Sequence, residues 1–186
     1  MGLIQKIKEL FSAKRLIEAA MEQLDRENQR YAAMTAEELA SLSDEDLVSA
    51  ALYRTDLKLD ALIGEELKTE ETAEWVTLLP KLYRPLYILT EFEGEIMNGG
   101  LSQFFANSSG ALTPLVSDAL LEVGAAQHHA LFSGFLIENG VDVTAPEDFE
   151  TDENENLLEA FDERYYALPP LEQTLAAYLR ANVSEI

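Results

Sequence analysis

Between its prolines and glycines, this chain repeats one pattern: apolar residues recur three and four apart, and no stretch of four or more alternates as a strand does. Such spacing gives each segment one apolar stripe, and those stripes must be buried against one another. The expected class is therefore all-α: a single compact multi-helix domain with an N-terminal amphipathic helical extension. At 186 residues the chain can bury a core without disulfides or metals. Its 47% apolar content separates it from disordered acidic chains. No fixed-period repeat is present.

The punctuation places the helices. Leu3, Ile4, Ile7, Leu10 and Phe11, followed by Ile17, Met21 and Leu24, predict an amphipathic helix over 3–33. Thr35 to Glu38 and Ser43 to Asp46 read as capping boxes. The second opens a helix that should turn Leu47, Ala50, Ala51 and Leu57 inward and end near Gly64. Residues 65–74 are polar and acidic, a connection towards Trp75. Pro85 opens a helix through Phe92 and Ile96, which Asn98-Gly99-Gly100 should stop. A short aromatic segment, Leu101 to Phe105, follows. Thr113-Pro114 reads as a cap with proline in the first turn, with Gly124 at that helix's end. Ala125 to Ile137 forms the next helix. The acidic loop 141–152 leads into a helix through Leu158, Phe161 and Tyr165. Pro169-Pro170 breaks that helix, and Leu171 to Asn182 forms the last.

Charge narrows the partners. The sequence holds 35 Asp and Glu against 13 Lys and Arg, a formal net charge of −22. Nucleic acid and anionic lipid both repel such a chain, so neither is an expected partner. With no cysteine, disulfides, thiolate metal sites and cysteine nucleophiles are excluded. No apolar run is long enough to span a bilayer and no signal-peptide core is present, so the expected location is cytoplasmic. The charge is also uneven. Between Arg84 and Arg164 the chain has no Lys or Arg, while carboxylates accumulate at Glu147, Asp148, Glu150, Asp152, Glu153, Glu155, Glu159, Asp162 and Glu163. General solubility accounts for acidity, but a solvated surface ordinarily mixes both signs.

Chemistry-bearing patterns are sparse. His128 and His129 are adjacent, so they face different sides of a helix and do not make a metal pair. Glu91, Glu93 and Glu95 alternate, a spacing that does not bring neighbours together on a helix. No phosphate loop, nucleophile elbow or calcium-loop spacing occurs. No catalytic residue, metal or cofactor is therefore assigned, and the expectation is a non-enzymatic protein. The most distinctive segment runs from Glu91 to Gly110. Glu95, Asn98, Gln103 and Asn107 could converge on a small ligand, with the glycines allowing close approach. The favoured reading is structural: Asn98 and Gly99 end a helix while Gln103 and Asn107 satisfy the freed backbone and Phe104 and Phe105 fill the core.

This segment, Glu95-Ile-Met-Asn-Gly-Gly-Leu-Ser-Gln-Phe-Phe-Ala-Asn-Ser-Ser-Gly110, resembles the signature of the DNA-mimic-protein C-terminal domain family, long catalogued as a domain of unknown function. Ala119 to Ala125, Phe161-Asp-Glu-Arg-Tyr-Tyr166 and Leu175 to Asn182 are similar to its later elements. The resemblance covers about 73–182 and divides the chain into an N-terminal helical extension, 1–70, and a DNA-mimic-like helical domain, 71–186. It implies an all-helical domain, often dimeric, whose acidic side chains imitate phosphates and occupy the DNA-binding face of a basic protein. It also implies structural roles for Glu95, Asn98, Gly99, Gly100, Gln103, Phe104, Phe105, Asn107 and Gly110. Independently of the family, residues four apart on a helix are about 6 Å apart along its axis, comparable to neighbouring phosphates. Glu155, Glu159 and Glu163 have that spacing, as do Asp148 and Asp152 before them. The expected partner is a basic protein such as a DNA-binding regulator or nuclease. The rivals are a small-ligand or enzymatic pocket at Glu95, Asn98, Gln103 and Asn107, and a dimeric structural module.

Overall fold

The computed structural model describes residues 21–63 and 75–186, which are helical throughout their ordered elements and contain no strand. Residues 21–33 form α1. There follow α2 (Ala36–Ala40), α3 (Asp44–Ile63), α4 (Tyr83–Ala106), α5 (Thr113–Val123), α6 (Ala126–Asn139), α7 (Glu155–Tyr166) and α8 (Leu171–Ala181). Short 3-10 turns lie at Ser108–Leu112, Pro146–Phe149 and Val183–Glu185. Four expectations fall outside the described residues: the helical stripe from Leu3 to Ile17, the helix end near Gly64, the connection over 65–74, and the domain boundary at 70/71.

The first capping box forms in full and the second by half. The Thr35 hydroxyl accepts from the Glu38 N–H at 3.3 Å, and the Glu38 carboxylate accepts from the Thr35 N–H at 2.7 Å. The Ser43 hydroxyl accepts from the Asp46 N–H at 3.1 Å. Each satisfies N–H groups that a helix start otherwise leaves open. Within α3 the inward stripe differs from expectation. Leu57 is exposed, and Thr55 and Leu59 are buried instead. The buried stripe steps by four through Leu47, Ala51, Thr55 and Leu59, and each step of four drifts about 40° around the helix. That drift leads away from Leu57. Thr55 tolerates burial because its hydroxyl donates to the Ala51 carbonyl at 2.8 Å.

The hub is α4. It packs against α5, α7, α3 and the Ser108–Leu112 turn. Leu86, Leu89, Phe92 and Ile96 are fully buried along its first half, and Leu101, Phe104 and Phe105 along its second. The Phe92 ring meets Phe104 and Phe132 edge-on, each with centroids 5.0 Å apart. Leu39, Leu47, Ala50 and Ala51 belong to the same buried cluster as these aromatics. Arginines tie the ends together. Arg54 donates to the carbonyls of Tyr31, Met34 and Ile186, and Arg180 pairs with Asp44 at 2.5 Å while also reaching the Leu42 carbonyl.

Two details differ from the sequence reading. The glycine pair does not end the helix: α4 resumes at Leu101 and runs to Ala106. Leu101, Phe104 and Phe105 lie at i, i+3 and i+4, so helical geometry buries all three on one side. Thr113 is not a side-chain cap; its hydroxyl donates to the Gly110 carbonyl at 2.7 Å, holding the preceding turn.

Candidate functional site

The break in α4 organises everything around it. Gly99 has φ −155° and ψ 21°, and Gly100 has φ 78° and ψ −175°. The second combination is open essentially only to glycine. Two side chains of α7, four residues apart, bracket the break. Asp162 accepts from the Leu101 N–H at 2.9 Å, just after it, and the Tyr166 hydroxyl donates to the Ile96 carbonyl at 2.8 Å, just before it. A Cβ on Gly100 would overlap the Asp162 carboxylate.

A second clamp spans the other flank. Glu95 accepts from the side-chain amides of Gln103 and Asn107, the latter at 2.9 Å, and from the Ser109 hydroxyl at 3.4 Å. Gly110 closes the segment where a Cβ would lie 2.7 Å from the Phe105 carbonyl oxygen. Glu95, Asn98, Gln103 and Asn107 do border one cavity of about 430 Å³, together with Thr90, Glu91 and Gly94. The amide N–H groups of Gln103 and Asn107, however, are turned onto Glu95, while Asn98 is exposed and does not join them. This arrangement braces a bent helix. Glu91 and Glu95 share that cavity, whereas Glu93 accepts from the Leu171 N–H at the start of α8.

The acidic segment also borders the break. A cleft of about 360 Å³ is lined by Glu150, Asp152, Glu155, Glu159 and Asp162, with Gly99, Ser102, Thr151 and Leu158 completing it. The Ser102 hydroxyl donates to Glu150 at 2.6 Å and so joins the two walls. Of the remaining sequence-expected carboxylates, Glu147, Asp148, Glu153 and Glu163 are exposed nearby in the chain but do not line the cleft. Among the described residues none of the nine has an ion-pair partner. Ser102 and Thr151 carry no sequence signal of their own. Tyr166 did carry one, its i, i+4 spacing from Asp162.

Burial perturbs several groups here. Glu91, Glu93 and Asp162 sit above the usual carboxylate range, in each case first because burial penalises the charged form. The Leu171 N–H partly offsets this at Glu93, as the Leu101 N–H does at Asp162. Each group binds its proton more tightly in the folded chain. Its contribution to stability is therefore fully present below the unfolded value and is lost as pH rises through the folded one. His128 works oppositely. Burial depresses it, so the unfolded chain takes the proton first and stability falls as pH drops through 6.5. On acidification from about pH 7 to about pH 4.5 the wild type should therefore lose thermal stability relative to His128→Gln. Parallel midpoints of the two proteins across that window, read by scanning calorimetry, exclude this assignment.

His128 is buried edge-on to Tyr165, centroids 5.4 Å apart, and His129 is half-buried. Among the described residues no group of His, Asp and Glu could hold a metal ion, and no helix is long and apolar enough to cross a membrane. Fold and site together define a class: an acidic all-helical protein built on a glycine-broken, doubly braced central helix. Residues 77–182 match the family model described as DMP19-like protein, and the chain belongs to that family, the DNA mimic protein family its motif resembles. No curated protein and no solved structure gave a significant match.

Proposed function

We propose that the protein is a non-enzymatic DNA mimic whose α7 cleft and adjoining acidic segment occupy the DNA-binding face of a basic protein, such as a DNA-binding regulator or nuclease. The supporting observation is the gathering of Glu150, Asp152, Glu155, Glu159 and Asp162 around one concavity, without a cation among the described residues to neutralise them. Glu155 and Glu159 stand one helical turn apart on α7, so they present charges about 6 Å apart along its axis. Crowded carboxylates repel one another, and a partner bearing Lys and Arg relieves that repulsion when it docks. Clustering on a rigid helix also fixes the spacing that a flexible acidic tail leaves free.

The expected result is capture of a basic protein from native lysate at low salt. Affinity should fall about tenfold or more between 50 and 300 mM salt, because exposed charge pairs are screened. Duplex DNA should compete for the same protein. Recovery of no protein that DNA displaces would sink the proposal.

A further inference from the structure

The domain grips α1 only at its last turns. Tyr31 is buried and its hydroxyl donates to Asp46 at 3.1 Å, while Arg54 donates to the Tyr31 and Met34 carbonyls. From 21 to 30 every residue is exposed except Asn28, which is half-buried. Met21 is 62% exposed and Leu24 56%. Polar side chains here pair within the helix: Arg26 with Glu22 at 3.9 Å, and Gln23 with Glu27 at 3.0 Å. A short exposed helix is marginal in water, and it gains most of its stability by packing an apolar face. The apolar face of α1 is still open.

Met21 and Leu24 belong to a seven-residue repeat. Counted in heptads, Ile7, Lys14, Met21 and Asn28 fall at a, and Leu3, Leu10, Ile17, Leu24 and Tyr31 at d. The spacing alternates four and three without a break from 3 to 31. Residues 3–20 lie outside the described residues, and there the repeat is a property of the sequence. A 3.5-residue period drifts about 20° per heptad around a straight helix, so a supercoiling partner helix follows it and a flat domain surface does not. Glu22, Gln23, Arg26 and Glu27, which pair among themselves, occupy b, c, f and g, away from that seam. Lysine or asparagine at a is costly in a plain apolar contact, but between two helices it sets register and oligomer number.

Charge selects the partner. Residues 1–30 hold six basic and five acidic residues, whereas the rest of the chain holds seven basic and 30 acidic. Two copies of this chain therefore repel each other over most of their length, and not here. The α1 helix also lies outside residues 77–182, so pairing through it is separate from any contact made by the family domain.

We propose that α1 is a self-association helix: it pairs with α1 of a second copy of this chain as a coiled coil, with Met21 and Leu24 in the seam and Asn28 fixing the register. The pairing is independent of the acidic cleft and does not rest on the mimic reading.

The test measures the mass of the full chain in solution by light scattering and sedimentation equilibrium. The wild type should associate. Met21→Glu with Leu24→Glu should halve the associated mass, raising the dissociation constant about a hundredfold or more, because charges replace apolar contacts in the seam. Gln23→Glu with Gln29→Glu adds the same two charges at c and b, and should leave the mass unchanged. All four positions are exposed, so neither double variant should move the unfolding midpoint of the domain. Association should hold or tighten from about 50 to about 500 mM salt, opposite to capture by the acidic cleft. A wild type that stays monomeric, a seam variant that keeps its mass, or an off-seam variant that lowers it equally overturns the proposal. A monomer that cosediments with anionic phospholipid vesicles overturns it in favour of a membrane surface.

Discussion

Gly100→Ala should lower the unfolding midpoint by roughly 10 °C, whereas Gly94→Ala, six residues earlier in the same helix, should raise it slightly. At Gly100 two penalties combine. Holding a non-glycine residue at φ 78° and ψ −175° costs about 1–3 kcal/mol. The new Cβ also displaces the Asp162 carboxylate from the Leu101 N–H, leaving both partly buried groups without their partner for about 1–3 kcal/mol more. For a domain of this length each kcal/mol moves the midpoint by about 2–4 °C. Gly94 meets nothing within 4 Å, so its Cβ adds helix propensity of about 0.5–1 kcal/mol and no clash. Adding Asp162→Ala to Gly100→Ala should recover part of the loss, because the overlap vanishes while the strained dihedral remains. Equal midpoints for the two single alanine variants would show that the break is not what holds α4 to α7.

The second large effect falls on binding and leaves stability nearly unchanged. Replacing Glu150, Asp152, Glu155 and Glu159 by their amides should weaken capture of the basic partner by a hundredfold or more. Each lost charge-assisted contact is worth about 1 kcal/mol or above once docking excludes water. Folding should not suffer. Glu155 and Glu159 are exposed and repel one another across a helical turn, so neutralising them gains about 0.2–0.5 kcal/mol. Glu150 loses little, since an amide oxygen still accepts from Ser102. Unchanged stability with lost binding is the signature of a recognition surface. Unchanged binding with raised stability would mean that the acidity serves solubility alone.

The sequence made the helices legible because helical periodicity and caps are local. Thr35 and Glu38, Ser43 and Asp46, and the left-handed Gly124 each announce themselves within five residues. What it hid is what depends on distant packing. Asn98-Gly99-Gly100 looks like a stop in any window of ten residues. Only the burial of Leu101, Phe104 and Phe105 and the two bonds from α7 carry the helix past it. Leu57 went astray for the same reason, since α3 drifts by a few tens of degrees per turn and a short window does not reveal the direction. At the site, the residue types around Glu95 were conspicuous, but their pairing was not. A carboxylate receiving two amides eight and twelve residues later requires the chain to fold back, and only the bend at Gly99 and Gly100 brings that about.

One consequence of the two bonds from α7 concerns how such a surface evolves. Glu150, Asp152, Glu155 and Glu159 hold no backbone group of α4, so lineages can trade, lose or move these charges while the architecture persists. Asp162 is the exception, shared between the architecture and the cleft. It is the fixed point around which the rest of the face is free to diverge. Under the proposed function, such a scaffold can change clients without losing its fold.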